Sequence, residues 1–204
     1  MINTLIYGAS DLGCSVASMV SKDESFCILG FLDDSLKTPK HKSDFTVLGS
    51  ASTLSDHNPD TKIIVCIGDN GSREKISLLI RDSGYTAIGY LHPKAFVANS
   101  ASVHNTAIIF PFAYIGESCE VDAFSIVHPN ATLSSHSKVS DYCLLAPNCA
   151  VGSGALLGKG VSVGLSSSIL PGLNIGETAK VAAGAAVVKN VPNNSVAKGV
   201  PAKW

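Results

Sequence analysis

Charge is scarce in this chain. Only 15% of its 204 residues are Asp, Glu, Lys or Arg, the 15 basic side chains nearly balance the 16 acidic ones, and the net charge is -1. Neither Lys nor Arg forms a run, which excludes a basic nucleic-acid surface and a polybasic membrane patch. Long apolar runs are missing too, and none approaches the roughly 20 residues of a membrane span. The segment from Met1 to Gly8 has no basic stretch, long apolar core or cleavage site, so it does not read as a signal peptide. The six cysteines (Cys14, Cys27, Cys66, Cys119, Cys143, Cys149) form no CxxC pair and no other metal-ligand spacing. No metal is expected, and the cysteines read as reduced thiols of a cytoplasmic protein. Low charge combined with 46% hydrophobic residues excludes disorder and calls for a sizeable core.

What the chain does have is a period of six. From Val97 the series runs Val103, Ile109, Ile115, Val121, Val127, Leu133 and Val139, then Leu145, Val151, Leu157, Val163, Ile169, Ile175, Val181 and Val187. Every step is a branched aliphatic. Four residues after each comes a mostly small side chain, such as Ala113, Cys119, Ser125, Ala131, Cys143 or Cys149. Helices repeat at 3.6 and strands at 2, so neither alone produces this pattern. Two-residue strands separated by turns at fixed spacing do produce it, and three sides close an eighteen-residue triangular coil. The aliphatics fill the interior. Gly116, Gly152, Gly158, Gly164 and Gly176, each just after an aliphatic, are expected to take the unusual turn dihedrals. The architecture is a left-handed parallel β-helix over residues 92–204. Such a scaffold can be purely structural, so the repeat by itself assigns no activity.

Residues 1–91 lack the period. Leu5-Ile6-Tyr7 reads as a buried strand, and Gly8-Ala9-Ser10-Asp11-Leu12-Gly13 as a loop opening a helix through Met19. Strands follow at 26–31 and 63–67, a helix at 73–83 and a short strand at 87–91. This alternation implies a small α/β, Rossmann-like domain with a parallel sheet. The glycine loop is a partial dinucleotide fingerprint, with Ser10 where the second glycine would stand, and an ordinary strand–helix turn fits it as well. Asp33 and Asp34, ending the second strand, can accept hydrogen bonds from a ribose or base, and Gly68-Asp69-Asn70 follows the third strand. Together the three loops favour a nucleotide-type ligand.

Ile6-Tyr7-Gly8-Ala9-Ser10, Phe31-Leu32-Asp33-Asp34, Ile67-Gly68-Asp69-Asn70 with Arg73, His92-Pro93, the unbroken repeat, and the endings Val187–Pro192 and Gly199–Lys203 together resemble one family. It comprises the bacterial sugar acyltransferases: sialic acid O-acetyltransferases and the UDP-4-amino-sugar N-acetyltransferases of the bacillosamine pathway. The resemblance spans essentially the whole chain. It implies a homotrimer that transfers an acyl group, typically from acetyl-CoA, to an amino or hydroxyl group of a nucleotide-linked or sialic-acid-type sugar in surface glycan synthesis. It also implies a nucleotide sugar held by the first domain through Gly8, Ser10, Asp11, Leu12, Asp33, Asp34 and Gly68. The CoA thioester would lie along a groove at Leu144, Gly164, Leu165 and Ala183, with Lys189, Lys198 and Lys203 available for phosphates. Nucleic acid, membrane insertion and metal have no place in it.

The chemistry departs from the family pattern. Counting hexads, the family's catalytic histidine falls on Ser135, the acidic residue after it on His136, and a second histidine on Leu144; an asparagine one hexad earlier is His128. In one reading His136 serves as base, oriented diagonally by Glu117 one coil below, with His128 in reserve. In another the enzyme has diverged to a different substrate, donor or base. In the third, catalysis is gone and a trimeric β-helix binds nucleotide sugar or CoA for scaffolding or regulation. His41, His57, His92 and His104 read as loop, junction or surface residues.

Overall fold

In the computed structural model, residues 1–35 and 44–204 are described, and they form two compact units, Met1–Gly89 and Tyr90–Trp204. His41 lies outside the described residues.

The first unit is a five-stranded parallel sheet with two helices. Its strands are β1 (Ile2–Tyr7), β2 (Phe26–Leu32), β3 (Val47–Gly49), β4 (Lys62–Val65) and β5 (Thr86–Ile88), in the order β3-β2-β1-β4-β5. Helix α1 (Asp11–Val20) follows β1, and α2 (Asn70–Asp82) follows β4. The central strand β1 buries Thr4 through Tyr7, as a strand covered on both faces must, which is why Leu5-Ile6-Tyr7 reads as a continuous apolar run. The strand order reverses at β1, so the carboxyl ends of β1, β2 and β4 border one crevice, the place where open α/β sheets collect ligands. Both helices begin there. Strand β3 is an element that the sequence pattern does not announce.

The second unit is the β-helix. Two-residue strands stack as three parallel sheets of six, five and seven strands. Consecutive partners are eighteen residues apart up to Val187, as in Ile115↔Leu133 and Leu133↔Val151, and sixteen apart in the last pair, Val181↔Ala197. The aliphatic series from Ile109 to Val187 is buried throughout, and Cys119, Cys143 and Cys149 sit among it as free thiols at small-residue positions. Burying one such aliphatic side chain is worth about 1.5–3 kcal/mol, and here each coil contributes three. The strand expected at 87–91 divides at the unit boundary. Thr86–Ile88 completes the first sheet, whereas Tyr90–Leu91 pairs with Ile108–Ile109 and opens the β-helix. The repeat therefore starts one hexad before Val97, at Leu91, although Leu91 itself is 48% exposed.

The turn glycines correct another expectation. Those directly after an aliphatic do not take left-handed dihedrals. That role belongs two residues later, at Phe112, Ser118, Phe124, Asn130, His136, Tyr142, Asn148, Ser166 and Thr178, and at Gly154, Gly160, Gly172 and Gly184, with φ between 52° and 71°. Gly152, Gly158, Gly164 and Gly176 serve close packing instead: a Cβ on any of them would approach the next coil's backbone to 2.3–2.8 Å.

Candidate functional site

The crevice of the first unit is a cleft of about 440 Å³. Gly8, Ser10, Asp33, Asp34 and Gly68 all line it, so the structure brings these five expected residues together. Asp11 and Leu12 are not among its lining residues; they occupy the first turn of α1, with Asp11 exposed. Tyr7, Ser72, Lys75 and Ile76 line it unannounced. Ser72, Lys75 and Ile76 stand at i, i+3 and i+4 on α2, a spacing legible in the sequence once α2 is known to start at the cleft.

The local fold explains the glycine loop. Gly8 has φ +107° and an added Cβ would stand 2.5 Å from the Cys66 carbonyl oxygen, while a Cβ on Gly13 would meet the Gly8 carbonyl oxygen at 1.8 Å. Both are demanded by packing of β1, α1 and β4. Gly68 is different: its φ is ordinary and a Cβ there would meet nothing within 4 Å. It borders open cleft.

The two carboxylates are already engaged. Asp33 accepts from the Ala9 N–H at 2.8 Å through one oxygen, and from the Ser35 N–H and hydroxyl at 2.8 and 2.7 Å through the other. Asp34 accepts from the Tyr7 hydroxyl at 2.6 Å and the Ala51 N–H at 2.9 Å. An ionised carboxylate has about four lone-pair sites, so a ribose hydroxyl can still be accommodated, but the first duty of this pair is to fix the loops. Burial and the Asp34 bond push the Tyr7 phenol upward, so it stays a protonated donor. Burial likewise raises the Cys66 thiol and makes it a poor nucleophile. Asp69 caps α2 by accepting from the Ser72 N–H at 2.8 Å.

On the β-helix, the expected residues fall on two different edges. The turns after Val127, Val163 and Val181, whose strands share one sheet, carry His128, then Gly164 and Leu165, then Ala183. Leu144 lies on that sheet, opposite Ser162, just before the same edge. The turns after Ile115, Leu133 and Val151 form another edge, which carries Glu117, Ser135 and His136. The structure therefore does not bring His136 and His128 together within the subunit. His136 is exposed, with φ 61° and its N–H bonded to the Glu117 carbonyl at 2.8 Å. The Glu117 carboxylate accepts from the Ser100 hydroxyl, so the expected diagonal orientation of His136 by that carboxylate is not what the structure has. His128 is half-buried, its ring stacked on Phe110 at 4.8 Å and 20°. His104 belongs to the third edge, where its Nδ1 and the Thr106 hydroxyl lie 2.8 Å apart.

Near the C-terminus, Val188, Lys189, Pro201, Ala202, Lys203 and Trp204 enclose a cavity of about 370 Å³. Lys198 is not among its lining residues. Among the described residues, no helix is long and apolar enough to cross a membrane, and no cluster of three or more His, Cys, Asp or Glu is placed to hold a metal.

Comparison with known proteins matches this geometry. Residues 3–78 fit the model of the PglD N-terminal domain. That match falls within the first unit. Over the whole chain, the fold is that of solved acetyltransferases. A variant of GDP-perosamine N-acetyltransferase from Caulobacter crescentus, in complex with CoA and GDP-perosamine, superposes with TM-score 0.89 at 23% identity, covering 98% of this chain and 95% of that one. The acetyltransferase domain of PglB from Neisseria gonorrhoeae FA1090 gives 0.89 at 21%, and WeeI from Acinetobacter baumannii AYE 0.90 at 21%, each covering 100% of this chain and 99% of the other. Among curated proteins, the putative acetyltransferase YJL218W of Saccharomyces cerevisiae is 45% identical over 47 residues. That match spans 24% of the relative's length. At these identities the solved structures show that the chain shares their fold from one end to the other.

Proposed function

We propose that this protein transfers an acyl group, in the first instance acetyl, from its CoA thioester to an amino or hydroxyl group of a nucleotide-linked or sialic-acid-type sugar. The observation that carries the reading is the pairing, in one chain, of a PglD-type cleft at the strand ends with an acetyltransferase-type β-helix. In this reading the first domain, residues 1–89, binds the nucleotide of the acceptor. The β-helix, residues 90–204, works as a homotrimer and lays CoA along the edge bearing Leu144, Gly164, Leu165 and Ala183. Its setting is the cytoplasm, consistent with six free cysteines.

A base takes the proton from the sugar amine or hydroxyl, the freed lone pair forms the new bond to the thioester carbonyl carbon, and the CoA thiolate leaves and is protonated. We assign that base to His128 before His136. Two observations support the choice: the Phe110 stack restrains the His128 ring, and His128 shares its edge with the proposed donor groove. His136, by contrast, is exposed and lacks the carboxylate partner expected for it. A thiol-release assay with acetyl-CoA and a panel of UDP-, GDP- and dTDP-linked amino sugars tests the activity. Release with one nucleotide class is expected; binding of donor and sugar without release for any acceptor would leave the non-catalytic scaffold as the better account.

A further inference from the structure

Arg73 is the largest fully buried side chain among the described residues and sits in the first turn of α2. Its guanidinium reaches back into the loop that precedes the helix. Nη1 donates to the Ile67 carbonyl at 2.6 Å and to the Gly68 carbonyl at 3.3 Å, and Nη2 donates to the Asn70 side-chain oxygen at 2.7 Å. The planar fork of donors suits three acceptors spread along one loop, which a lysine ammonium on its single stem cannot match.

These bonds fix more than the carbonyls. The peptides after Ile67 and Gly68 are trans, since the one cis bond among the described residues is Val200–Pro201. In a trans peptide the C=O and N–H point in opposite directions. With both carbonyls drawn toward the buried guanidinium, the Gly68 and Asp69 N–H groups are turned away from it. Gly68 lines the cleft, is exposed, and has nothing within 4 Å of where a Cβ would stand. Neither backbone strain nor packing within the protein demands a glycine there, in contrast to Gly8 and Gly13. The free space at its Cα is on the ligand's side.

We propose that Arg73 is a positioning residue that, by holding the Ile67 carbonyl, presents the Gly68 backbone N–H to an oxygen acceptor of the bound nucleotide, and that Gly68 lacks a side chain so that this acceptor can approach. The inference rests on the nucleotide-sugar reading of the cleft and adds the recognition device to it. The acceptor chemistry is shared by a phosphate oxygen and a base carbonyl oxygen. Arg73 touches neither.

The test uses the full-length protein, with nucleotide binding measured by calorimetry and turnover by thiol release. Gly68→Ala should unfold at the wild-type temperature, yet bind the nucleoside diphosphate that wild type accepts about tenfold more weakly or worse, the loss expected when a hydrogen bond to a charged group is denied. Arg73→Lys should raise KM for the nucleotide sugar by a similar factor while leaving KM for acetyl-CoA and kcat near wild type. Comparing UDP, uridine and pyrophosphate separates the sources: a Gly68→Ala loss seen with UDP and pyrophosphate assigns phosphate, and one seen with UDP and uridine assigns the base. Wild-type nucleotide affinity in a folded Gly68→Ala, or an Arg73→Lys effect of equal size on both substrates, would overturn the proposal and leave the nucleotide reading standing. A wild-type protein that binds no nucleotide or nucleotide sugar would overturn both.

Discussion

Replacing Gly164 by Ala separates what the β-helix needs from what a coenzyme needs. Gly164 is one of the proposed CoA-edge residues, yet a Cβ built on it stands 2.5 Å from the Ala183 nitrogen, 2.7 Å from the Val181 carbonyl oxygen and 2.8 Å from the Ala182 carbonyl carbon. All three belong to the next coil, whose spacing is held by Gly164 N–H to Val181 O at 2.8 Å and Ser162 N–H to Ala179 O at 3.0 Å. Ordinary contact requires about 3.4 Å or more. The methyl must therefore part the coils by several tenths of an ångström and stretch those bonds, an overpacking cost of about 1–3 kcal/mol or more. Gly184, on the same edge one coil on, makes the control: its φ is +67° and a Cβ would meet nothing within 4 Å. Alanine there carries only the left-handed penalty, about 1–2 kcal/mol, partly offset by the reduced freedom of the unfolded chain. Urea denaturation at fixed pH should therefore rank Gly164→Ala below Gly184→Ala, and Gly184→Ala modestly below wild type. A Gly164→Ala protein as stable as Gly184→Ala would refute the assignment of this glycine to coil stacking.

His128→Ala should lower kcat by about 10²-fold or more, the usual contribution of a general base, while His136→Ala stays within a few-fold of wild type; the reverse pattern in the thiol-release assay would transfer the role to His136. Asp33→Ala should weaken nucleotide binding and also cost about 1.5–3 kcal/mol of stability, because it frees the Ala9 and Ser35 donors that fix the glycine loop; a loss of affinity with an unchanged urea midpoint would make Asp33 a ligand contact alone. Alkaline pH should also destabilise the fold. Burial pushes the Cys149 thiol from 9.0 up to about 12. Unfolded thiols ionise first, so the stability present below about pH 9 is lost as pH rises toward 12, by about 1.4 kcal/mol for each unit above pH 9. Between pH 8 and 10 the stability of Cys149→Ala should gain on wild type by about that amount, and a gap independent of pH would contradict it.

Much of the β-helix was legible because its core is one-dimensional. Every sixth side chain must be aliphatic for three short strands to close on each other, so sixteen consecutive steps specify the architecture without knowledge of any distant contact. The first strand of the repeat, Tyr90–Leu91, reads as part of the preceding domain because it follows the last strand of that sheet, Thr86–Ile88, with one residue between, although Leu91 stands six residues before Val97 and pairs with Ile109. Glycine identity was visible, but glycine purpose was not. Gly152 and Gly154 look alike in the sequence, and only the stacked coil shows that one has a neighbour 2.5 Å from where a Cβ would stand while the other sits at φ +67°, a turn position that non-glycine residues also fill.

The candidate site divided in the same way. The sequence placed Gly8, Ser10, Asp33, Asp34 and Gly68 at strand ends, and the crevice at β1 gathers them, because a parallel sheet aims its carboxyl ends to one side. It could not show that Asp33 and Asp34 spend their oxygens on Ala9, Ser35, Tyr7 and Ala51, nor that Lys75 faces the cleft, since both depend on how three loops pack. The hexad count put a serine at the base position, and the structure did not reverse that. What the tertiary structure decided was the edge of the prism on which each remaining histidine lies. Eighteen residues return the chain to the same edge and six carry it to the next, so His128 and His136, eight residues apart, end on different edges. Local spacing thus determined the scaffold from sequence alone, while the partners of each polar group were left to the packing that brings distant backbone within hydrogen-bond reach.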